Sequence, residues 1–132
     1  MTGGDEPGRA GLAGARVLVA EDQAVIAMDL EMTLREFGCA VLGPAASVAE
    51  ALALVGRERP DAALLDLGLS DGPAVPVAEA LASAGVPFAL LTGSPGELPE
   101  HPALRGAPRL DKPFGAGERR RVLVLLLPGT AA

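Results

Sequence analysis

The sequence predicts an α/β protein built on an open parallel sheet with helices on both faces. Apolar residues make up 49% of the chain and aromatic residues only 2%, so Ala, Val and Leu must form most of the core. This composition is typical of sheets that helices cover on both sides. Short apolar runs bounded by glycines or acids alternate with segments at helical spacing. A chain of 132 residues is long enough for one such domain.

The predicted strands and helices alternate along the chain, which favours parallel strands joined by right-handed crossovers. The strands are residues 16–20, 39–45, 61–67, 86–93 and 109–111. The helices are residues 23–37, 47–57, 75–85 and 117–127. The second helix begins with a capping box of Ser47 and Glu50. Four prolines between Ser94 and Pro108 leave little room for a helix before the fifth strand.

Composition also limits the boundaries of the domain and its partners. Residues 1–14 lack apolar periodicity and are expected to form a flexible tail, followed by one domain over 15–127 and a C-terminal tail over 128–132. A net charge of −6 and a pI near 4.7 argue against direct DNA binding. We expect a cytoplasmic protein without membrane contact, because the sequence has neither a signal-peptide pattern nor a spanning apolar run. A single cysteine, Cys39, excludes an internal disulfide and is expected in the core.

Polar residues end most of the predicted strands. In open α/β sheets, ligands bind at the carboxyl ends of the strands. The residues at these ends are Glu21 and Asp22 after the first strand, Asp66 in the third, Thr92 in the fourth, and Asp111 and Lys112 after the fifth. Carboxylates, a hydroxyl and the only lysine of the chain are therefore expected at one edge of the sheet.

This set of residues suits phosphoryl chemistry supported by a metal ion. Three acids at one edge repel each other, and a divalent cation would relieve the repulsion. The candidate ligands are hard oxygens, so Mg²⁺ or Mn²⁺ is expected rather than zinc. One carboxylate could then attack phosphorus and form an aspartyl-phosphate. Thr92 and Lys112 fit as the hydroxyl and the compact cation that meet the oxygens of the transferred group.

The same residues resemble the motifs of response-regulator receiver domains, over about Ala15 to Leu127. The acidic pair follows the first strand in "VLVAED", and "DAALLDL" is similar to the strand that carries the phosphoacceptor. "LLTGS" contains the hydroxyl position, and "DKPF" contains the lysine–proline signature. The resemblance implies a flavodoxin-like (CheY-like) doubly wound sheet of five parallel strands in the order 2-1-3-4-5.

The resemblance also implies a role for each residue of the metal site. Asp66 would be the phosphoacceptor. Asp22 and Asp66 would bind Mg²⁺ together with the backbone carbonyl of Gly68, and Glu21 would lie beside the ion and act through a water molecule. Gly68 would leave the phosphoryl group open to water, so a fairly short-lived phosphoryl state is expected.

Two further residues would contact the phosphoryl group. Thr92 would shift inward when the group arrives. Lys112 would pair with the acceptor carboxylate and then with a phosphoryl oxygen. A cis Lys112–Pro113 peptide bond would aim the lysine into the site.

A narrower resemblance is to the single-domain receivers called the FATGUY group, which pair with HWE/HisKA2-type histidine kinases. It is carried by "VIAMDLEMTLREFGCAVLGPAASVAEAL" and "PFALLTG", and it implies a shortened or missing fourth helix. Leu91, Ser94 and Arg109 depart from the pattern, and Arg109 stands where many receivers have an aromatic switch residue. A signal would then travel through reordering of residues 93–108.

These features predict a stand-alone response regulator of a two-component phosphorelay. It would accept phosphoryl from a histidine kinase, act on a downstream protein or phosphotransfer partner, and catalyse only its own phosphorylation and dephosphorylation. The alternative is a degenerate receiver that serves as a phosphorylation-independent binding or dimerisation module. A flavodoxin-like small-ligand binder is disfavoured, because "EDQAV" after the first strand would repel a phosphate.

Four other features have simpler structural interpretations. Asp71 with Gly72 is typical of a turn, and His101 of a polar surface loop. Residues 118–121 are typical of a solvated helix turn. The apolar run within 117–127 is wider than one helical face, so it is either packed more deeply than a surface helix or covered by another chain. We expect it to contribute to a homodimer or partner surface.

Overall fold

A computed structural model describes residues 14–92, 101–112 and 115–126. The strands in these ranges are β1 Arg16–Ala20, β2 Ala40–Ala45, β3 Ala62–Asp66, β4 Gly68–Leu69, β5 Gly72–Pro73, β6 Phe88–Thr92 and β7 Arg109–Asp111. Five of the strands described there form a parallel sheet in the order β2-β1-β3-β6-β7, and β4 and β5 form a separate hairpin. Counted by the strands of the large sheet, this is the predicted order 2-1-3-4-5. The predicted doubly wound α/β fold is confirmed.

Helices cover both faces of this sheet. The α-helices within the described ranges are α1 Ala24–Glu36, α2 Val48–Glu58, α3 Val75–Ser83 and α4 Ala116–Leu126. Successive residues of β1 point to opposite faces, so Val17 and Val19 pack with α1 and α4, whereas Leu18 packs with α2 and α3. Cys39 belongs to the first of these layers, and its burial raises the pKa of its thiol.

The described part of the connection between β6 and β7, residues 101–108, contains little helix. Residues 101–108 of this connection have a 3₁₀ turn, Pro102–Leu104, and no α-helix, in agreement with the predicted short or missing fourth helix. His101 caps the turn, because its Nδ1 accepts a hydrogen bond from the backbone N–H of Ala103 at 3.0 Å. Its Nε2 lies 3.0 Å from a carboxylate oxygen of Glu79 in α3. His101 therefore ties the connection to a helix instead of only facing solvent.

The turn at Asp71 also has a structural role beyond the prediction. It joins β4 to β5, and the Asp71 carboxylate accepts hydrogen bonds from the N–H groups of Val48 at 2.6 Å and Ala49 at 3.3 Å. These donors belong to the first turn of α2, so Asp71 caps a helix that lies 23 residues away in sequence. The pKa of Asp71 is lowered, chiefly by the hydrogen bond from Val48. Ser47 caps the same helix, as predicted, by accepting from Glu50 N–H at 3.1 Å.

The interpretation of residues 118–121 as a solvated turn is wrong for Arg119. Its side chain is only 17% exposed, pairs with the Asp29 carboxylate and donates to Thr33 Oγ1 at 3.0 Å. Both partners lie on α1, so Arg119 joins the two helices of one layer. Much of the apolar run that follows is also buried, whereas Leu125 is 56% exposed.

The predicted tails lie almost wholly outside the described residues. Gly14 is described and donates its N–H to the carbonyl of Gly38 at 2.7 Å, but residues 1–13 and 128–132 are not. None of the helices in the described ranges is long and apolar enough to cross a membrane.

Candidate metal and phosphoryl site

The sheet brings the predicted site residues to one edge. Asp66 and Thr92 are the last residues of β3 and β6. Glu21 follows β1, and its backbone N–H donates to Ala45 at 2.9 Å. Lys112 follows β7, and its N–H donates to Thr92 O at 2.7 Å. Because the strands are parallel, all these positions lie at their carboxyl ends.

Glu21, Asp22 and Asp66 form a cluster of carboxylates. Each offers an oxygen, and these oxygens all lie within 4.8 Å of one another. Glu21 is 2% exposed, Asp66 is half-buried and Asp22 is exposed, so the cluster extends from the protein interior to solvent. The donors are all hard oxygens, which suits Mg²⁺ with part of its water shell retained.

Lys112 lies against two of the three acids. Its Nζ lies 2.6 Å from Asp66 Oδ2 and 2.9 Å from Glu21 Oε1. Burial alone would lower the pKa of Lys112, but the hydrogen bonds and charges of Asp66 and Glu21 outweigh burial, and the pKa is raised. The lysine is therefore a fixed cation directly against Asp66.

Glu21 is a buried acid, and one of its carboxylate oxygens, Oε1, could still coordinate a metal ion or a water molecule. Burial, the larger cause, and the neighbouring Asp66 raise its pKa from 4.5 to about 7, although Lys112 and the Gln23 N–H act against the shift. Oε2 accepts from Gln23 N–H at 3.1 Å. Oε1 has Lys112 as an ion-pair partner but makes no well-aligned hydrogen bond to a described residue. A buried carboxylate oxygen in this cluster fits a nearby metal ion or its water.

Gly68 lies next to the acceptor position. Its N–H donates to Asp66 Oδ1 at 2.9 Å, so both Asp66 oxygens have a donor. A Cβ added at Gly68 would meet no atom within 4 Å, and Gly68 is exposed. That its carbonyl binds a metal stays a prediction, and the predicted cis Lys112–Pro113 bond involves a proline outside the described residues.

The Thr92 hydroxyl makes its hydrogen bond outside the carboxylate cluster. Thr92 is 6% exposed, and its hydroxyl donates to Asp111 Oδ1 at 3.0 Å. Arg109 approaches the same oxygen, with Nη2 at 3.9 Å. The sequence alone predicts Asp111 at a strand end and gives it no partner. The contact follows from the parallel register between β6 and β7, which sets Thr92 opposite Asp111.

No family model matches the chain. It is similar to the transcriptional regulatory protein PdtaR of Mycobacterium tuberculosis, with 36% identity over 106 residues, which are 78% of this chain and 52% of PdtaR. The chain thus spans about half the length of the curated relatives it matches.

Solved structures of response regulators are similar over most of the chain. The PhyR response regulator REC domain of Erythrobacter litoralis has a TM-score of 0.74 and 28% identity, covering 88% of this chain and 92% of that domain. SdrG of Pseudomonas melonis, solved in a BeF₃-activated conformation, has a TM-score of 0.73 and 38% identity, covering 87% and 98%. With the sheet order and the motifs at its strand ends, the chain belongs to the response-regulator receiver domains of two-component signalling.

Proposed function

We propose that this receiver accepts a phosphoryl group on Asp66, with Mg²⁺ bound by the neighbouring acids, and signals through protein contacts. The observation that carries the proposal is the position of the Lys112 ammonium, 2.6 Å from Asp66 Oδ2, at the edge where the three acids meet. If Lys112 served only in a structural ion pair, one acid would be enough to pair with it. Two further carboxylates beside it make the site costly unless a cation binds.

In the proposed reaction, each group around Asp66 has a different role. The Gly68 N–H and Lys112 hold the two carboxylate oxygens, so the acceptor has a fixed orientation. One oxygen would form the new bond to phosphorus while the bond from phosphorus to the donor's leaving group breaks, and the leaving group keeps the electron pair. Lys112 would then face a phosphoryl oxygen. Mg²⁺, when held by Glu21, Asp22 and Asp66, would offset the charge that the phosphoryl group brings.

A histidine kinase is the proposed phosphodonor, and the HWE/HisKA2 type is the narrower proposal. The surface next to the site supports a protein partner: α1 begins two residues after Asp22 and exposes Val25, Met28 and Met32 by 60% or more, at helical spacing. A net charge of −6 gives no support to a nucleic-acid partner.

Two finer proposals concern lifetime and assembly. Open space at Gly68 gives water access to the phosphoryl group, so the phosphorylated state is short-lived, and a phospho-form stable for many hours at neutral pH would contradict this.

Residues 117–127 form a homodimer or partner face, with Leu125 exposed upon it. A chain that stays monomeric by light scattering at high concentration, with and without beryllofluoride, would contradict the dimer.

The proposed function is tested by incubation with acetyl phosphate and Mg²⁺, followed by intact-mass measurement. Wild type should gain one phosphoryl group in a reaction that EDTA blocks. Asp66→Asn should gain none, and Glu36→Gln, which changes an exposed acid on α1 outside the site, should behave like wild type. Equal labelling of wild type and Asp66→Asn would refute the assignment. Absence of labelling in both would favour the phosphorylation-independent binding module.

A further inference from the structure

The contact between Thr92 and Asp111 has a consequence for how the site switches. A threonine hydroxyl carries one proton and can donate one hydrogen bond at a time. In the described structure that bond goes to Asp111 Oδ1, at 3.0 Å. The hydroxyl is buried, so it has little access to water as another partner. Thr92 can therefore reach a phosphoryl oxygen only by leaving Asp111.

We propose that Asp111 is a positioning residue, which holds the Thr92 hydroxyl in the unphosphorylated state and releases it when the phosphoryl group arrives. This inference rests on the proposed function, because it presumes a phosphoryl group on Asp66. The Asp111 carboxylate contacts Thr92 and Arg109 but not Asp66. Asp111 sets the free-energy cost of moving Thr92 toward Asp66, because the hydrogen bond between Thr92 and Asp111 must break first.

Arg109 can respond when Thr92 leaves Asp111, because it lies close to the same carboxylate oxygen. Arg109 and Asp111 are two residues apart on β7, so their side chains share one face of the strand. β7 is the edge strand of the described sheet, and Arg109 and Asp111 are both exposed. The Arg109 guanidinium is already 3.9 Å from the oxygen that Thr92 occupies. When Thr92 leaves, this oxygen becomes available for a closer pair with Arg109, which alters the charge pattern on the outer edge of the sheet.

Arg109 suits this role although it is not an aromatic residue. An arginine can follow the movement of Thr92 because it shares an acceptor with the threonine. In this proposal Thr92 is the donor that moves, Asp111 is the acceptor that stays in place, and Arg109 is the cation that then pairs with Asp111.

The test is a double-mutant cycle on beryllofluoride affinity in the presence of Mg²⁺, measured by calorimetry or ¹⁹F NMR. The chain has neither Trp nor Tyr, so intrinsic fluorescence is a poor probe. Asp111→Ala should bind beryllofluoride about three- to tenfold more tightly than wild type, the range expected when one competing charge-assisted hydrogen bond is removed near solvent. In a Thr92→Val background, Asp111→Ala should have no effect. Asp111→Asn retains an acceptor for Thr92 and should stay closer to wild type than Asp111→Ala.

Two results would overturn the inference while leaving the proposed function intact. Equal tightening by Asp111→Ala in both backgrounds would mean that Asp111 acts only through its charge, and no tightening in wild type would mean that it does not restrain Thr92. As a second readout, the Arg109 Nε–H NMR signal should shift when beryllofluoride is added to wild type and should not shift in Asp111→Ala. If wild type and all variants fail to bind beryllofluoride, the proposed function fails and this inference fails with it.

Discussion

Replacing Glu21 by Gln is expected to stabilise the metal-free protein at alkaline pH. Glu21 is 2% exposed and lies beside Asp66, with Lys112 as the cation that partly compensates. Gln has nearly the same shape but no charge to bury. The variant therefore isolates the free energy that the folded protein spends on ionising this carboxyl group.

The sign and size of the effect follow from the pKa of Glu21. Its folded-state pKa of about 7 is above the ordinary value of 4.5, so the stability linked to the bound proton is full below about pH 4.5 and is lost as the pH rises through 7. A shift from 4.5 to about 7 corresponds to about 3 kcal/mol if it is fully expressed. Asp22 opens the cluster to solvent and salt, which screens the charges, so we expect roughly half of this, about 1.5 kcal/mol.

The assay is urea unfolding followed by circular dichroism, in EDTA, at about pH 4 and about pH 8. Glu21→Gln should be more stable than wild type by about 1.5 kcal/mol at the higher pH and nearly equal at the lower. Glu36→Gln, which changes an exposed acid on α1, serves as the matched control and should show no such pH dependence. A variant that is less stable than wild type at the higher pH would refute the reasoning, because it would mean that ionised Glu21 is favourably paired.

Three further perturbations test other parts of the structure. Asp71→Asn should lower the unfolding midpoint at neutral pH, and the difference should disappear as the pH falls below about 4, because the pKa of Asp71 is lowered in the fold; a constant difference would contradict the cap. Arg119→Met should cost about 1–2 kcal/mol in urea unfolding, since it removes an ion pair in which the Asp29 side chain is about half-exposed, whereas Arg120→Met should cost almost nothing. Mg²⁺ binding near pH 7 should release roughly half a proton per ion from Glu21, detectable by calorimetry in buffers of different ionisation enthalpy, and Glu21→Gln should abolish the release.

The central strands β1, β3 and β6 were predictable because they are buried on both faces and therefore form continuous apolar runs. All five residues of β6 are buried, and their sequence is a simple apolar segment that ends in Thr92. The site residues were predictable for a related reason: parallel strands bring their carboxyl ends together, so order along the chain was enough to gather Asp66 and Lys112 at one edge. The β4–β5 hairpin was missed, because two-residue strands have no periodicity to detect.

The contacts made by Asp71, Arg119 and Asp111 depend on how elements pack, and local patterns do not carry that information. Asp71 has the sequence context of a turn whether or not a helix begins beside it. Arg119 is one of three consecutive arginines, and only the orientation of α4 against α1 separates it from its exposed neighbours. Asp111 required the register between β6 and β7, which a three-residue strand does not define by its sequence alone.

The most direct test of the central claim is to locate the phosphoryl group chemically. Wild type treated with acetyl phosphate and Mg²⁺ is reduced with borohydride, which converts a phosphorylated aspartate to homoserine, and is then digested and sequenced by mass spectrometry. The account predicts homoserine at position 66, dependent on Mg²⁺ and strongly diminished in Lys112→Met. Homoserine at Asp22 or elsewhere, or labelling that needs no Mg²⁺, would contradict it.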